Sequence, residues 1–296
     1  MNETQKQGFL SSLKSIETEN FLDRIFYRPI GYHIAVLLRG TRITPNIITI
    51  ISIFVGVGAG LLFYPKDIWL NLAGILLLIT ANILDCVDGQ LARLTGIKSD
   101  VGRVLDGVAG DLWFISIYVC LALRIAPELG NSLAWTLAGL AGASNLVQSN
   151  ITDYYKTLHL YFISLKKGAE FETIEKVRAK HRSMKYGINK GMYWFYLYYT
   201  VLQTKITPQL QKLLIRLKVK YGEDFPEEVR LRLRKKNLEV MPFINMTTFN
   251  GRSVVLIMML LVGLPWVYLL YEIVALNIVL FATMLKHEDN CRKFEV

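Results

Sequence analysis

The sequence predicts an all-α fold, a polytopic bundle of membrane helices, and three observations support that class. Apolar residues make up 52% of the 296 and charged residues only 20%, with a mean hydropathy of +0.33. The apolar residues are bunched into blocks rather than spread at helical or strand spacing. Several blocks reach the roughly 20 residues that a transmembrane helix needs. Prolines and polar clusters stand at the block ends, where helices start and stop. Such a composition excludes a disordered or collagen-like chain and argues against an ordinary soluble globule.

The elements follow in chain order. The first 20 residues are polar and lack the apolar core and cleavage pattern of a signal peptide, so no cleavable leader is expected. Phe21 to Arg39 mixes Asp23, Arg24, Arg28 and His33 with Ile25, Phe26, Ile34, Leu37 and Leu38. It reads as an amphipathic helix in the membrane interface, bent near Pro29. The first span opens at Thr44-Pro45-Asn46, where Thr44 can cap and Pro45 suits the first helical position. It runs from Ile47 to about Tyr64 and ends at Pro65-Lys66-Asp67. The second span covers Trp69 to Leu84 and continues into charged residues. The third covers about 104–123 and the fourth Leu133 to about Tyr155. Ser253–Tyr271 and Ile273–Leu285 complete six, with Glu272 at their join.

Charge divides the chain differently. Lys and Arg total 34 against 24 Asp and Glu, a formal net charge of +10. Residues 161–240 hold 18 basic and 8 acidic side chains, so the whole surplus lies in that stretch. A basic segment between membrane blocks suits an anionic leaflet; no nucleic-acid motif accompanies it, so nucleic acid is not an expected partner. Its aromatic run Tyr193–Tyr199 belongs at headgroup level, and Gln209–Lys220 reads as a basic helix. Four segments result: an interfacial arm (1–43), four spans carrying the chemistry (44–160), a basic insert (161–245), and the last two spans with a short tail (246–296). Cys86, Cys120 and Cys291 are too scattered for a metal cluster or a disulfide framework. His33, His159, His181 and His287 read as surface or interface residues.

Chemistry concentrates in Asp85-Cys86-Val87-Asp88-Gly89-Gln90-Leu91-Ala92-Arg93, followed by Gly102 and Asp106-Gly107-Val108-Ala109-Gly110-Asp111. Asp85 and Asp88 share one helix face. A charge near bilayer depth costs roughly 2.5–3.5 kcal/mol, and a divalent cation held by hard carboxylate oxygens offsets it. Asp106 supplies a third carboxylate from the next helix. Gly89 and Ala92 keep the helix slim, and Gly102 leaves room on the face of Asp106. Arg93 offers forked donors to a diphosphate. The set suits a metal-bound phosphate or pyrophosphate substrate. Asn82, one turn before Asp85, is placed to orient it. Lys98, Asp100 and Arg103 in the following turn are candidates for phosphate contact, and Arg252 for an anionic substrate. The polar end of the fourth span, Ser144 to Asp153, is a candidate lining for a head-group cavity.

These residues resemble the signature of the CDP-alcohol phosphatidyltransferase family, Asp-x2-Asp-Gly-x2-Ala-Arg-x8-Gly-x3-Asp-x3-Asp. Asp85, Asp88, Gly89, Ala92, Arg93, Gly102 and Asp106 all fall on pattern. The resemblance covers about residues 20–160 and 245–290 and leaves the basic insert outside. It implies a six-helix membrane fold with an amphipathic N-terminal element and an active site on the cytoplasmic side. It implies transfer of a phospho-group from a CDP-linked lipid such as CDP-diacylglycerol to a polar alcohol, inositol or inositol phosphate, releasing CMP. Asp85, Asp88 and Asp106 would hold Mg2+ or Mn2+; Gly89, Ala92, Arg93 and Gly102 would line the nucleotide site. A homodimer is a further family expectation.

One position departs from the pattern. The family's last Asp, metal ligand and general base, falls at position 110, where this chain has Gly110 with Asp111 beside it. At about 100° per residue, position 110 lies some 40° from Asp106 around the helix, and Asp111 about 140°. A π-bulge would turn Asp111 toward the site, making it a metal ligand and catalytic group with Asp106 and Arg93. Two alternatives stand beside it. One is a changed mechanism, such as inositol phosphorylceramide-type head-group exchange from a phospholipid without CMP release. The other is a non-catalytic membrane scaffold.

Overall fold

The computed structural model describes residues 3–97, 100–164, 171–222 and 224–296, and those residues form helices and turns with no strand among them. Lys98 lies outside the described residues, as do the side chains of Asp100 and Arg103. The helices are α1 (Glu3–Ser11), α2 (Arg28–Leu38), α3 (Pro45–Leu62), α4 (Ile68–Thr95), α5 (Asp100–Leu129), α6 (Asn131–Ile163) and α7 (Ile174–Ser183). They continue as α8 (Ile188–Ile206), α9 (Pro208–Tyr221), α10 (Glu227–Leu238), α11 (Met241–Met246), α12 (Phe249–Leu261) and α13 (Pro265–Arg292).

Local chemistry sets the ends of the membrane helices. Extended Thr44 precedes Pro45 at the start of α3, where a missing amide donor costs nothing. Asp67 caps α4 by accepting from the Leu70 amide at 2.9 Å, and Gly96 stops the helix at φ 72°, a conformation that favours glycine. A π-helical turn, Asp23–Tyr27, leads into α2. The helices α3, α4, α13 and Leu105–Leu129 of α5 are long and apolar enough to cross a membrane.

That makes four such helices among the described residues, against the six spans expected. α6 has 33 residues, but Ser144, Asn145, Gln148, Ser149 and Asn150 dilute its apolar run. α12 has only 13 residues. The boundary expected at Glu272 is corrected as well. Gly263 at φ 79° and Pro265 break the chain, whereas Glu272 sits within a π-helical turn, Tyr271–Ala275, inside continuous α13. A positive-φ glycine followed by proline stops a helix, whereas one buried charge with a partner does not.

Two compact units divide the chain. The first comprises Met1–Leu146 and Phe249–Leu276. Its core joins Phe63, Leu78, Ile117, Leu121, Ile125, Leu256, Leu260 and Tyr268. Two glycines let helices approach closely enough to build the site. A Cβ on Gly60 of α3 would lie 2.9 Å from the Ile117 amide nitrogen of α5, and one on Gly31 of α2 would lie 2.9 Å from Cys86 Cβ of α4.

The second unit comprises Val147–Thr248 and Asn277–Val296. Its core gathers Ile151, Tyr155 and Leu158 with Leu210, Leu213 and Leu217 of α9 and Val229 and Leu233 of α10. His159 and His287 are both buried here, which corrects the expectation of four surface or interface histidines. The Tyr155 and His287 rings lie 4.4 Å apart between centroids.

Candidate active site

The site lies in the first unit, where α4 turns its last three turns toward α2, α3 and the start of α5. Asp85 and Asp88 stand one turn apart on α4, and Asp106 enters from α5. Ligand oxygens of these three carboxylates all lie within 4.8 Å of one another. Asp88 is buried, Asp85 half-buried and Asp106 exposed, so the cluster opens toward solvent on its α5 side. Like charges this close repel strongly, and hard oxygens from two helices are the donor set that a divalent cation takes. The residues present therefore fit such an ion.

α3 braces the cluster. The Thr49 hydroxyl donates to Asp88 Oδ2 at 2.6 Å, which fixes one carboxylate rotamer. Sequence reasoning missed Thr49, although Thr49 and Ser52 mark a polar stripe on an otherwise apolar helix. Asn82 is buried one turn before Asp85, and its Nδ2 makes no hydrogen bond to that carboxylate among the described residues.

The N-terminal arm supplies a second brace. Arg93 Nε donates to the Ser12 carbonyl at the end of α1. Gln90 Nε2 donates to Ser12 Oγ at 3.1 Å and to the Arg28 carbonyl at 3.2 Å. Arg28 in turn pairs with Glu19 at 3.0 Å. The forked end of Arg93 lies over Gly89, whose missing side chain leaves it room: a Cβ there would meet Arg93 Nη2 at 3.2 Å. Ala92 is half-buried on the same helix, and Gly102 half-buried on α5. The first 20 residues, read from sequence only as polar, hold two side chains of the motif.

Asp111 is placed apart from the cluster. α5 runs as unbroken α-helix from Asp100 to Leu129, without the π-bulge that would have turned Asp111 toward Asp106. The charge acting on the half-buried Asp111 carboxylate is that of Arg252. Arg252 itself is buried and pairs through Nε with Glu272 at 3.3 Å. Tyr268 donates to the same Glu272 oxygen at 2.7 Å.

Comparison with known proteins agrees with this geometry. Residues 42–167 match the CDP-alcohol phosphatidyltransferase family, and no curated protein matches the chain. The matched stretch runs from the start of α3 past the end of α6 and takes in every carboxylate of the cluster. Together with four helices able to cross a membrane, it identifies residues 42–167 as a CDP-alcohol phosphatidyltransferase domain, a phosphotransferase module, within an integral membrane chain.

Proposed function

We propose that the chain moves the phospho-group of a CDP-linked lipid, CDP-diacylglycerol, onto a polar alcohol such as inositol or inositol phosphate, with CMP as leaving group. The observation that carries this reading is the convergence of Asp85, Asp88 and Asp106 within 4.8 Å. Those three carboxylates would hold Mg2+ or Mn2+. A bound divalent ion neutralises the donor diphosphate and the charge that develops on the transferring phosphoryl oxygens.

The chain's own groups do the rest. Arg93, anchored at Nε, turns its fork over Gly89 toward the donor diphosphate, where paired guanidinium donors match phosphate oxygens. Gly89, Ala92 and Gly102 give the diphosphate and nucleotide close approach to backbone, with Asn82 at the deep end. The acceptor hydroxyl attacks phosphorus in line, the bond from phosphorus to the CMP oxygen breaks, and Arg93 holds the charge that leaves with CMP. We assign the acceptor proton to the carboxylate of Asp106, the solvent-exposed member of the cluster. Asp111 contributes one helical turn deeper, through Arg252. We assign the active site to the cytoplasmic side of the membrane, and a homodimer is the assembly we favour.

A specific observation favours a second reading. With Gly110 in place of the family's last Asp and Asp111 outside the cluster, the site has three clustered carboxylates instead of four. Transfer of a phosphorylated head group from a phospholipid to ceramide would use the same cavity without CMP. Purified protein given CDP-diacylglycerol with inositol or inositol phosphate, and phosphatidylinositol with ceramide, separates the two. CMP formed only in the first pair supports the main reading. Ceramide conversion without CMP replaces it.

A further inference from the structure

The second unit carries a surface that phosphotransfer does not use. Leu210, Leu213 and Leu217 of α9 are fully buried, which fixes the helix rotation. Glu288 holds its N-terminal end, accepting from the Gln209 and Leu210 amides at 2.6 and 3.2 Å. The outward face then presents Lys212, Ile215, Arg216, Val219 and Lys220, spaced so that they form one stripe. Ile215 is 63% exposed and Val219 83%. Both aliphatic side chains are flanked by cations along the stripe, the arrangement of an interfacial amphipathic helix.

Beside the stripe, Gln209, Lys212, Ile215 and Arg216 join Arg292 of α13 around an open cleft of about 440 Å³. Arg216 Nη2 rests on the Cys291 carbonyl at 3.4 Å, which holds the two arginines at one end. Asp289 is shared between Arg292 at 2.6 Å and Lys293 at 2.5 Å, one carboxylate between two cations. Lys212 has no ion-pair partner among the described residues. The cleft is thus net positive, and its α9 side belongs to the surplus of charge seen across residues 161–240.

We propose that this face of α9 docks on an anionic membrane surface. Ile215 and Val219 enter the headgroup layer, and Lys212, Arg216 and Arg292 bind the lipid phosphates in the cleft. Charge complementarity selects this occupant. Cationic stems can lie along apolar surface while their heads reach phosphate, and a helix of this pattern lies in the interface plane. Nucleic acid would need stacking aromatic or base-reading side chains, and the stripe has none.

The test uses the full chain in nanodiscs of phosphatidylcholine alone or mixed with phosphatidylserine. Val219→Cys gives a unique labelling site, because Cys86, Cys120 and Cys291 are all buried. An environment-sensitive fluorophore there should move to an apolar signal, and be quenched by brominated lipid, in the anionic discs. Each basic residue near an anionic surface changes partitioning by about fivefold, so Lys212→Gln with Arg216→Gln should lower docking by about 25-fold. High salt should weaken docking in the same direction. A probe that stays in water in both lipids overturns the proposal. So does quenching that is equal in the two lipids and indifferent to the substitutions. The substitutions lie on an exposed face, and an unchanged elution profile in detergent separates lost docking from lost folding.

Discussion

Arg93 Nε donates to the main-chain carbonyl of Ser12, a residue 81 positions earlier in the chain. The bond consumes the one guanidinium donor that points along the side chain and leaves the fork over Gly89. An arginine anchored in this way is pre-aimed, so less freedom is lost when a diphosphate arrives. Arg93→Lys keeps the charge but removes both the anchor and the fork. We expect about a 100-fold loss of turnover, as for removing one donor to a developing anion. Ser12→Ala keeps the carbonyl that anchors Arg93 but removes the hydroxyl that accepts from Gln90 and donates to the Phe9 carbonyl; it should raise the KM for donor about fivefold, near 1 kcal/mol, with kcat unchanged. Steady-state kinetics on both variants check the split; equal losses in kcat and KM for Ser12→Ala would contradict it.

Asp85→Asn, Asp88→Asn and Asp106→Asn each remove one charge from the cluster. Each should cut activity by about 100-fold or more and raise the divalent-cation concentration needed for half activity. Chelation should abolish turnover of the unaltered protein, and added Mg2+ or Mn2+ should restore it. Asp111→Asn is the informative control. Because Asp111 is not among the clustered carboxylates, its cation requirement should match that of the parent. A shifted cation dependence in Asp111→Asn would return that residue to the metal site.

Residues of the site near each other in sequence were legible in it, and those far apart were not. Asp85 and Asp88 are one turn apart, and the spacing to Asp106 follows from one helix, a turn and another helix. Periodicity and turn chemistry alone therefore bring those carboxylates together. Pro45, Asp67 and Gly96 likewise mark helix ends by local preference. Thr49 meets Asp88 across 39 residues and Ser12 meets Gln90 across 78. No local pattern encodes such pairs, because tertiary packing creates them. Glu272 was misread for a related reason: its charge argued for an exposed join until Arg252 and Tyr268 supplied buried partners.

Thr49→Val removes the hydroxyl that holds Asp88 at almost constant volume. Partners of ligating side chains typically contribute about 10–100-fold in metal affinity. The half-saturating cation concentration should rise by about tenfold, while turnover at saturating cation recovers most of its value. Thr49→Ser keeps the donor and should behave like the parent. If Thr49→Val leaves the cation titration unmoved, the hydroxyl serves only the packing of α3 on α4.

The Arg252–Glu272 pair predicts a stability effect distinct from catalysis. Glu272 is fully buried and Arg252 is 2% exposed. Glu272→Gln removes one charge of a buried ion pair, which costs about 3–5 kcal/mol. The melting temperature in detergent should fall clearly. Replacing both by Met should recover much of the loss, because an apolar pair avoids the desolvation of two charges. A single variant as stable as the double would show that the ion pair is not buried in the folded protein.

Gly110 gives the sharpest test of what the site lacks. It lies in regular α5 without a positive φ, and a Cβ there would meet nothing within 4 Å. Gly110→Asp is therefore sterically free. It also replaces a poor helix former, so folding should be unharmed or helped by a few tenths of a kcal/mol. The new carboxylate stands about 40° around the helix from Asp106, on the face that Asp111 cannot reach. With a CDP-linked donor, Gly110→Asp should lower the half-saturating cation concentration by about tenfold, the effect of one further hard ligand. CMP release should rise at limiting cation. A variant that folds, binds cation no better and releases no more CMP would show that the three-carboxylate site is complete as it stands. That result would shift the balance to head-group exchange, a reaction in which no nucleotide leaves.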